Sequence, residues 1–433
     1  MTSESKERVV VTGLGLLTPL GLGKEATLAA LREGRCGIRF GDAESVLGAG
    51  FWPTHYGVCE GFEAARYIAD KKSIRSTTRR IHLAVAAARL ALEDADWAAA
   101  QRADQDEYSA GTLVAVGSDD ALDAFFPVVQ HSMTEAGEFD HGLCGTQGVS
   151  HCPPLYILPR LPNTAAGQIA IQNTIKGLNY SVVNVANGGV VSIGEAYRAI
   201  RNGRATRMIS GAATGPLGAY ATLERDVLDK RLSNSKNGSR AFSADSDGLI
   251  LAEGAALLVL ESESSAKARG ARIYAEITAY ANTYDVAPET TVETKQAGYV
   301  RAMRATLAAA ELTPGRVSAI SASGIGLPVD DAAEVAAIRE VFSGRLESLP
   351  VSATKNQTGY IEAVSGALEV AVAALSVSEG FVPPTIRLDS GAQEPELDYV
   401  PERGRPAPLE HVLCMSYEPC GSNVGLIISK YGR

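Results

Sequence analysis

The chain has 433 residues, 45% of them hydrophobic and 21% charged, with no low-complexity tract. That is the composition of a globular protein with room for two or three domain-sized units. A formal net charge of -10 argues against nucleic acid or an anionic membrane as the main partner. No apolar run approaches the ~20 residues of a membrane span, and the polar start MTSESKERVVVTG leads into a strand instead of a signal peptide. A cytoplasmic protein is expected.

In chain order, ERVVVTGLGLLTPLGLG (7–23) opens with a β-branched run and turns through glycines. Gly13 and Gly15 invite a dinucleotide-binding reading, but the third glycine is missing and Thr18-Pro19 stands where the helix would run. No nucleotide or other cofactor is expected. Residues 79–97 predict an amphipathic helix with Ile81, Val85, Ala88 and Leu92 on its apolar face. A strand at TLVAVGS (112–118) and a loop-rich region near 119–163 follow. In that region HGLC (141–144), His151 and Cys152 gather metal-binding side chains, but at no familiar zinc spacing, so no metal is expected. The six cysteines (36, 59, 144, 152, 414 and 420) show no paired spacing, as suits buried thiols in a reducing compartment.

VVNVANGGVVSIG (182–194) reads as strand, tight turn and helix start. Enzymes use that arrangement to expose a reactive side chain at the positive end of a helix. Here the turn holds Ala186 and Asn187, and neither can attack a substrate. Strands are predicted at 207–213 and, as a pair, within GLILAEGAALLVLES (248–262). The second half repeats the order: a strand at IYAEITAYANT, a helix near 294–311, a strand at VSAISAS, then helices at DDAAEVAAIREVF and SGALEVAVAALSVSEG. VLCMSYEPCGSNVGLIISK closes the chain as strand, turn, strand. Strands alternating with helices predict an α/β fold with buried sheets. It is expected to comprise two similar halves, 1–265 and 266–433, packed as one unit because no linker composition separates them.

Several blocks together carry a family resemblance. VVVTGLGLLTPLG, SRAFSADSDGLILAEGAALLVLE, SASGIGLPVDDAAE, VSATKNQTGY, VPPTIRLD and CGSNVGLIISK resemble the β-ketoacyl synthases of fatty acid and polyketide biosynthesis, from about residue 8 to 430. The resemblance implies the thiolase fold, a five-layered αβαβα stack of two similar halves. Active members use a cysteine at the strand–helix turn, two histidines and an oxyanion hole. Carried over position by position, the cysteine falls on Ala186. The histidine of a His-Gly-Thr motif falls on Ser323, followed by Gly324 and Ile325. The histidine of a Thr-Gly-His motif falls on Tyr360, after Thr358 and Gly359. The oxyanion donor falls on Pro419, which has no N–H. No catalytic residue is therefore expected. Ser192 carries a hydroxyl but lies well into the helix. Lys355, Glu334 and Asn187 are expected to remain as the scaffold of a former site, with Lys355 and Glu334 as an ion pair.

This pattern resembles the chain length factor, or ketosynthase β subunit, of bacterial type II polyketide synthases. The resemblance implies an active ketosynthase α subunit as heterodimer partner, a polyketide chain in the shared tunnel, and an acyl carrier protein reached through the complex. Ala186 is then expected at the subunit interface. It stands where factors of aromatic pathways carry glutamine, which points to a reduced or polyene pathway. VGSDDALDAFFPVV (116–129) matches the region of the tunnel gates, with Ala121, Leu122, Phe125 and Phe126 as candidates, although Phe125 and Phe126 also read as ordinary core aromatics. Two alternatives stay open: a competent decarboxylase or acyltransferase with an unrecognised nucleophile, and a structural pseudoenzyme outside polyketide assembly.

Overall fold

The computed structural model describes residues 7–40, 55–98, 100, 106, 108–117, 125–152, 155–184, 186–215, 232–233, 239–286, 290–388, 391–392, 396–418 and 420–432. One sequence of elements occurs twice. The first copy runs β1 (Val9–Thr18), α1 (Arg79–Asp94), β2 (Ala110–Val116), α2 (Thr164–Gln172), β3 (Asn179–Val182), α3 (Gly188–Arg201), β4 (Arg207–Thr214) and β5 (Gly254–Ser262). The second runs β6 (Ala275–Tyr284), α4 (Val292–Ala309), β7 (Ala319–Ser321), α5 (Pro328–Phe342), β8 (Val351–Ser352), α6 (Ala363–Glu379), β9 (His411–Tyr417) and β10 (Ser422–Ser429).

Strand order repeats as well. The main sheet reads β8-β7-β9-β10-β6-β1-β5-β4-β2-β3, with the short strand Gly21–Leu22 added on β1. In each half three strands are parallel and the remaining pairings antiparallel. The halves meet where β1 and β6 pair antiparallel, at Val9–Ile277, Val10–Glu276 and Val11–Ala275. The duplication is thus written in topology, while the residues have diverged.

Three apolar cores stack this fold into five layers. Ile81, Val85, Ala88 and Leu92 of α1 join Ala166 and Ile169 of α2 against one face of the first half-sheet. Val190 and Ile193 of α3 and Leu368 and Leu375 of α6 fill the space between the half-sheets. Tyr299 and Met303 of α4 and Ile338 of α5 cover the far face. Helix α6 is buried from Ala363 to Val377, as expected of a helix that is apolar all round. Among the described residues no helix is long and apolar enough to cross a membrane.

Helix α1 stops at Asp94, earlier than the expected 97, because Asp96 enters the left-handed region at φ 47°. The glycines that invited a nucleotide reading have a packing role. A Cβ on Gly13 would stand 2.2 Å from the Ala91 carbonyl oxygen, and one on Gly15 only 1.9 Å from that of Ala87. They let the α1 backbone lie directly on β1. The expected strand pair at 248–262 is one strand, β5, preceded by isolated bridges from Leu249 to Leu232, Leu251 to Tyr360 and Ala252 to Gly57. Its first part has the alternating pattern but no continuous neighbour to pair with. The cysteines are free, yet only Cys59 and Cys414 are buried and Cys420 is exposed. The region read as loop contains short helices at Phe126–Gln130 and His141–Thr146.

Candidate functional site

Strand β3 ends at Val182 and α3 begins at Gly188, so the turn between them presents Ala186 at the helix start. Ala186 is 4% exposed and belongs to an apolar cluster with Tyr56, Leu232, Leu249, Leu251, Ile325 and Tyr360. Ile325 lies two residues beyond Ser323, and Tyr360 follows Gly359. Two of the positions singled out in the sequence, Ala186 and Tyr360, therefore converge in space, and Ile325 belongs to the same cluster. At the point of convergence stand a methyl group, a phenol and a branched alkyl chain. None of these is a thiol or an imidazole. The Ala186 side chain packs among residues of its own chain.

Backbone bonds fix this closure. The Tyr360 N–H donates to the Ile250 carbonyl at 2.7 Å, and the Ala252 N–H donates to the Tyr360 carbonyl at 3.0 Å. Asn187 is fully buried and bridges the two halves. Its Nδ2 donates to the Ser422 carbonyl at 2.7 Å and to Ser422 Oγ at 3.1 Å. Its Oδ1 accepts from Ser416 Oγ at 2.7 Å. Asparagine here ties the start of α3 to the ends of β9 and β10. Pro419, in the turn between those strands, lies outside the described residues. Ser192 is fully buried in α3, and its Oγ has no hydrogen-bond partner among the described residues.

Ser323 is held from three sides. Its N–H donates to Glu334 Oε1 at 2.8 Å, its carbonyl accepts from Lys355 Nζ at 2.5 Å, and its Oγ accepts from the Tyr417 N–H at 3.3 Å. Glu334 also takes the Gly324 N–H at 2.8 Å. Asp331 accepts from the N–H groups of Ile325, Gly326 and Phe242 at 3.0–3.2 Å. Asp331 and Glu334 are three residues apart on α5, so one helix face presents both carboxyls to the loop before it. The expected Lys355–Glu334 ion pair is not what forms. Lys355 pairs with Glu369 of α6 at 2.6 Å, and Ser321 Oγ donates to the other Glu369 oxygen at 2.9 Å. Glu334 instead acts as an acceptor for backbone N–H groups.

Burial pushes the Glu334 carboxyl up to about 8, against its two backbone donors, with Asp331 adding repulsion. Burial likewise pushes Asp331 up to about 7, against three backbone donors. Both groups favour the folded chain in their protonated form. Their contribution is full below about pH 4, where the unfolded carboxyls also hold protons, and is lost as pH rises through 7 and 8. Burial lowers His82 and His411 from 6.5, so they act in the opposite sense and only below that value. The thermal unfolding midpoint is therefore expected to fall between pH 6.5 and about 9, and Glu334→Gln to flatten the fall. A midpoint that is level across this window in the parent chain rules the prediction out.

Of the candidates near 116–129, Phe125 and Phe126 are not members of the Ala186 cluster. Ala121 and Leu122 are outside the described residues. Phe125 is half-buried with its ring edge-to-face on Tyr156, centroids 4.4 Å apart, and Phe126 is 53% exposed. In the histidine and cysteine region His151 stacks on His131 at 3.7 Å, and no group of three or more metal-binding side chains forms among the described residues. A surface cleft of about 640 Å³ lies at the ends of α1 and α2, lined by Tyr67, Leu92 and Trp97, and shares no residue with the cluster. Sequence reasoning missed Glu369, Ser416, Ser422 and Tyr156.

Comparison with known proteins matches this fold. The chain matches the family model "Beta-ketoacyl synthase, N-terminal domain" over residues 6–266 and "Beta-ketoacyl synthase, C-terminal domain" over 274–389. It is 33% identical over 438 residues to the 3-oxoacyl-[acyl-carrier-protein] synthase 2 of Synechocystis sp., covering 100% of both chains. Among solved structures it resembles the ishigamide ketosynthase/chain length factor, with TM-score 0.83 and 28% identity over 99% of this chain and 100% of that one. It also resembles a ketosynthase bound to a hexaketide in complex with a type II PKS acyl-carrier protein, with TM-score 0.81 and 25% identity over 99% and 100%. With the duplicated topology, the thiolase-like layers and matches spanning the chain, this protein belongs to the β-ketoacyl synthase family.

Proposed function

We propose that this chain is a non-catalytic chain length factor that pairs with an active ketosynthase and walls the far end of its tunnel in type II polyketide biosynthesis. The observation that carries this reading is the closed apolar cluster at Ala186, Ile325 and Tyr360. The resemblance puts the nucleophile of an active family member at Ala186, its two imidazoles at Ser323 and Tyr360 and its oxyanion donor at Pro419, and Ala186 and Tyr360 both lie in this cluster. The fold around them is kept, so its use lies in packing against a partner and shaping a shared space.

The surface supports a partner of the same fold. Phe126, Leu155, Ile157, Leu158, Tyr180 and Val183 are between 49% and 68% exposed. Isolated chains rarely leave so many large apolar groups in water. Among the described residues strand β3 ends the sheet, while at the opposite end β8 is covered by the Val351 N–H bond to the Asp398 carbonyl at 2.8 Å. An apolar region beside a free strand edge suits pairing with a second sheet. The acyl carrier protein is then met through the complex, and the polyketide chain is the ligand of the shared tunnel.

A second reading, a condensing enzyme in its own right, draws on the names of the curated relatives. Its nucleophile has to be sought at a hydroxyl such as Ser192, which is buried and has no hydrogen-bond partner among the described residues. Co-expression with a cysteine-bearing ketosynthase separates the two. A 1:1 complex by native mass spectrometry, with long-chain product formed only by the complex, is expected. A stable homodimer that ignores the ketosynthase and condenses alone overturns the proposal.

A further inference from the structure

We infer that Tyr156 and Arg160, anchored by Arg80, are positioning residues that hold the Phe125 ring at one orientation and so set where the growing chain stops. This rests on the chain length factor reading and adds residues that the family motifs do not contain. Four contacts form a connected series. The Phe125 ring meets Tyr156 edge-to-face at 4.4 Å, with the planes at 79°. The Arg160 guanidinium lies 5.0 Å over the Tyr156 ring, and its NH1 donates to the Tyr156 carbonyl at 2.7 Å. Tyr156 is thereby held through both ring and backbone.

The anchor is Arg80, in the first turn of α1 and 5% exposed. Its NH2 donates to the Arg160 carbonyl at 3.3 Å, and its NH1 to the Gly117 carbonyl at 2.7 Å. Gly117 directly follows β2 and extends that strand's pairing through its N–H to the Ala213 carbonyl at 3.0 Å. The position of Phe125 is therefore referred through Tyr156, Arg160 and Arg80 to the end of β2, a strand paired on both sides. A ring that terminates a tunnel must not swing aside when an acyl chain presses on it. Edge-to-face and cation–π contacts are directional, so they restrain rotation as well as filling volume. Phe125 is half-buried while its neighbour Phe126 is exposed, which puts the pair at the boundary between the chain's interior and its surface.

The test uses the complex of this chain with its ketosynthase and carrier protein. Native mass spectrometry reads assembly, and product lengths are read after hydrolysis from the carrier. Phe125→Ala and Tyr156→Ala are expected to raise the ratio of longer to parent product by a similar factor, roughly threefold to tenfold. Tyr156→Phe keeps both ring contacts and is expected to retain the parent distribution. Should Tyr156→Ala not fold, Tyr156→Leu keeps bulk but removes both directional contacts, and is expected to give the same shift. A length change with Phe125→Ala but none with the Tyr156 variants overturns the positioning role and leaves the chain length factor reading standing. No change with Phe125→Ala in an intact complex overturns the assignment of Phe125 and, with it, the inference. Failure of the parent chain to form the complex removes the reading itself.

Discussion

Ala186→Cys is expected to leave the chain unable to condense acyl units, alone or beside a partner that has lost its own cysteine. A thiol at this position enters an apolar cluster, where burial favours the neutral form. The native Cys59 and Cys414 illustrate this, since burial pushes both thiols well above the ordinary value. The start of α3 supplies some compensation through its dipole, but that contribution is of the order of 1 kcal/mol. The larger loss is the absent acid–base chemistry. General acid–base groups contribute roughly 10²–10⁴-fold each, and neither Ser323 nor Tyr360 can replace an imidazole. Their backbones are also committed: Ser323 to Glu334 and Lys355, Tyr360 to Ile250 and Ala252. Intact-mass analysis after incubation with an acyl thioester should show no adduct on the parent chain. Product assays with Ala186→Cys should stay at background. An acyl adduct on the parent chain, or condensation restored by the single substitution, sinks the non-catalytic reading.

Legibility in the sequence followed the range of the interactions. The apolar stripe of α1 at Ile81, Val85, Ala88 and Leu92 is a local pattern, and all four residues lie in one core. The alternation of strands and helices likewise gave the α/β class and the two similar halves. Asn187 read as a scaffold residue, but its bonds reach Ser416 and Ser422, more than 200 residues away. No local pattern encodes that distance. Glu369 was missed for a related reason, since it sits within an otherwise apolar helix and its partner comes from another segment. Lys355 was assigned to Glu334 because both lie in motif blocks, whereas packing decided for Glu369. Tyr156 has no pattern around it at all, and only the folded contact with Phe125 singles it out. The empty chemistry at Ala186 was legible because residue type settles it. The closed apolar cluster was not, because Tyr56, Leu249 and Ile325 come from three distant stretches of the chain.

Lys355→Met is expected to destabilise the fold by about 3–5 kcal/mol, the usual cost of removing one partner from a buried ion pair. Lys355 and Glu369 are 3% and 1% exposed, so little water is at hand to replace the lost ammonium. Glu369 also accepts from Ser321 and, at 3.4 Å, from Thr354, and burial already raises its pKa. Without the lysine it takes up a proton, and the Ser323 carbonyl loses the donor 2.5 Å away. Removing both charges is a different matter. Lys355→Met with Glu369→Leu leaves only neutral hydroxyls and one carbonyl without partners, each costing about 1–3 kcal/mol at most. The two substitutions are therefore expected to be non-additive, with a coupling energy of at least about 1 kcal/mol in the double-mutant cycle. It should still assemble with the ketosynthase, because on the proposed reading the pair serves the shape of the loop at Ser323 and carries no chemistry. Equal stability of the Lys355→Met and parent chains refutes the energetic argument. A double variant that folds and assembles but no longer supports product formation shows that these charges act in the reaction, and the non-catalytic assignment then fails.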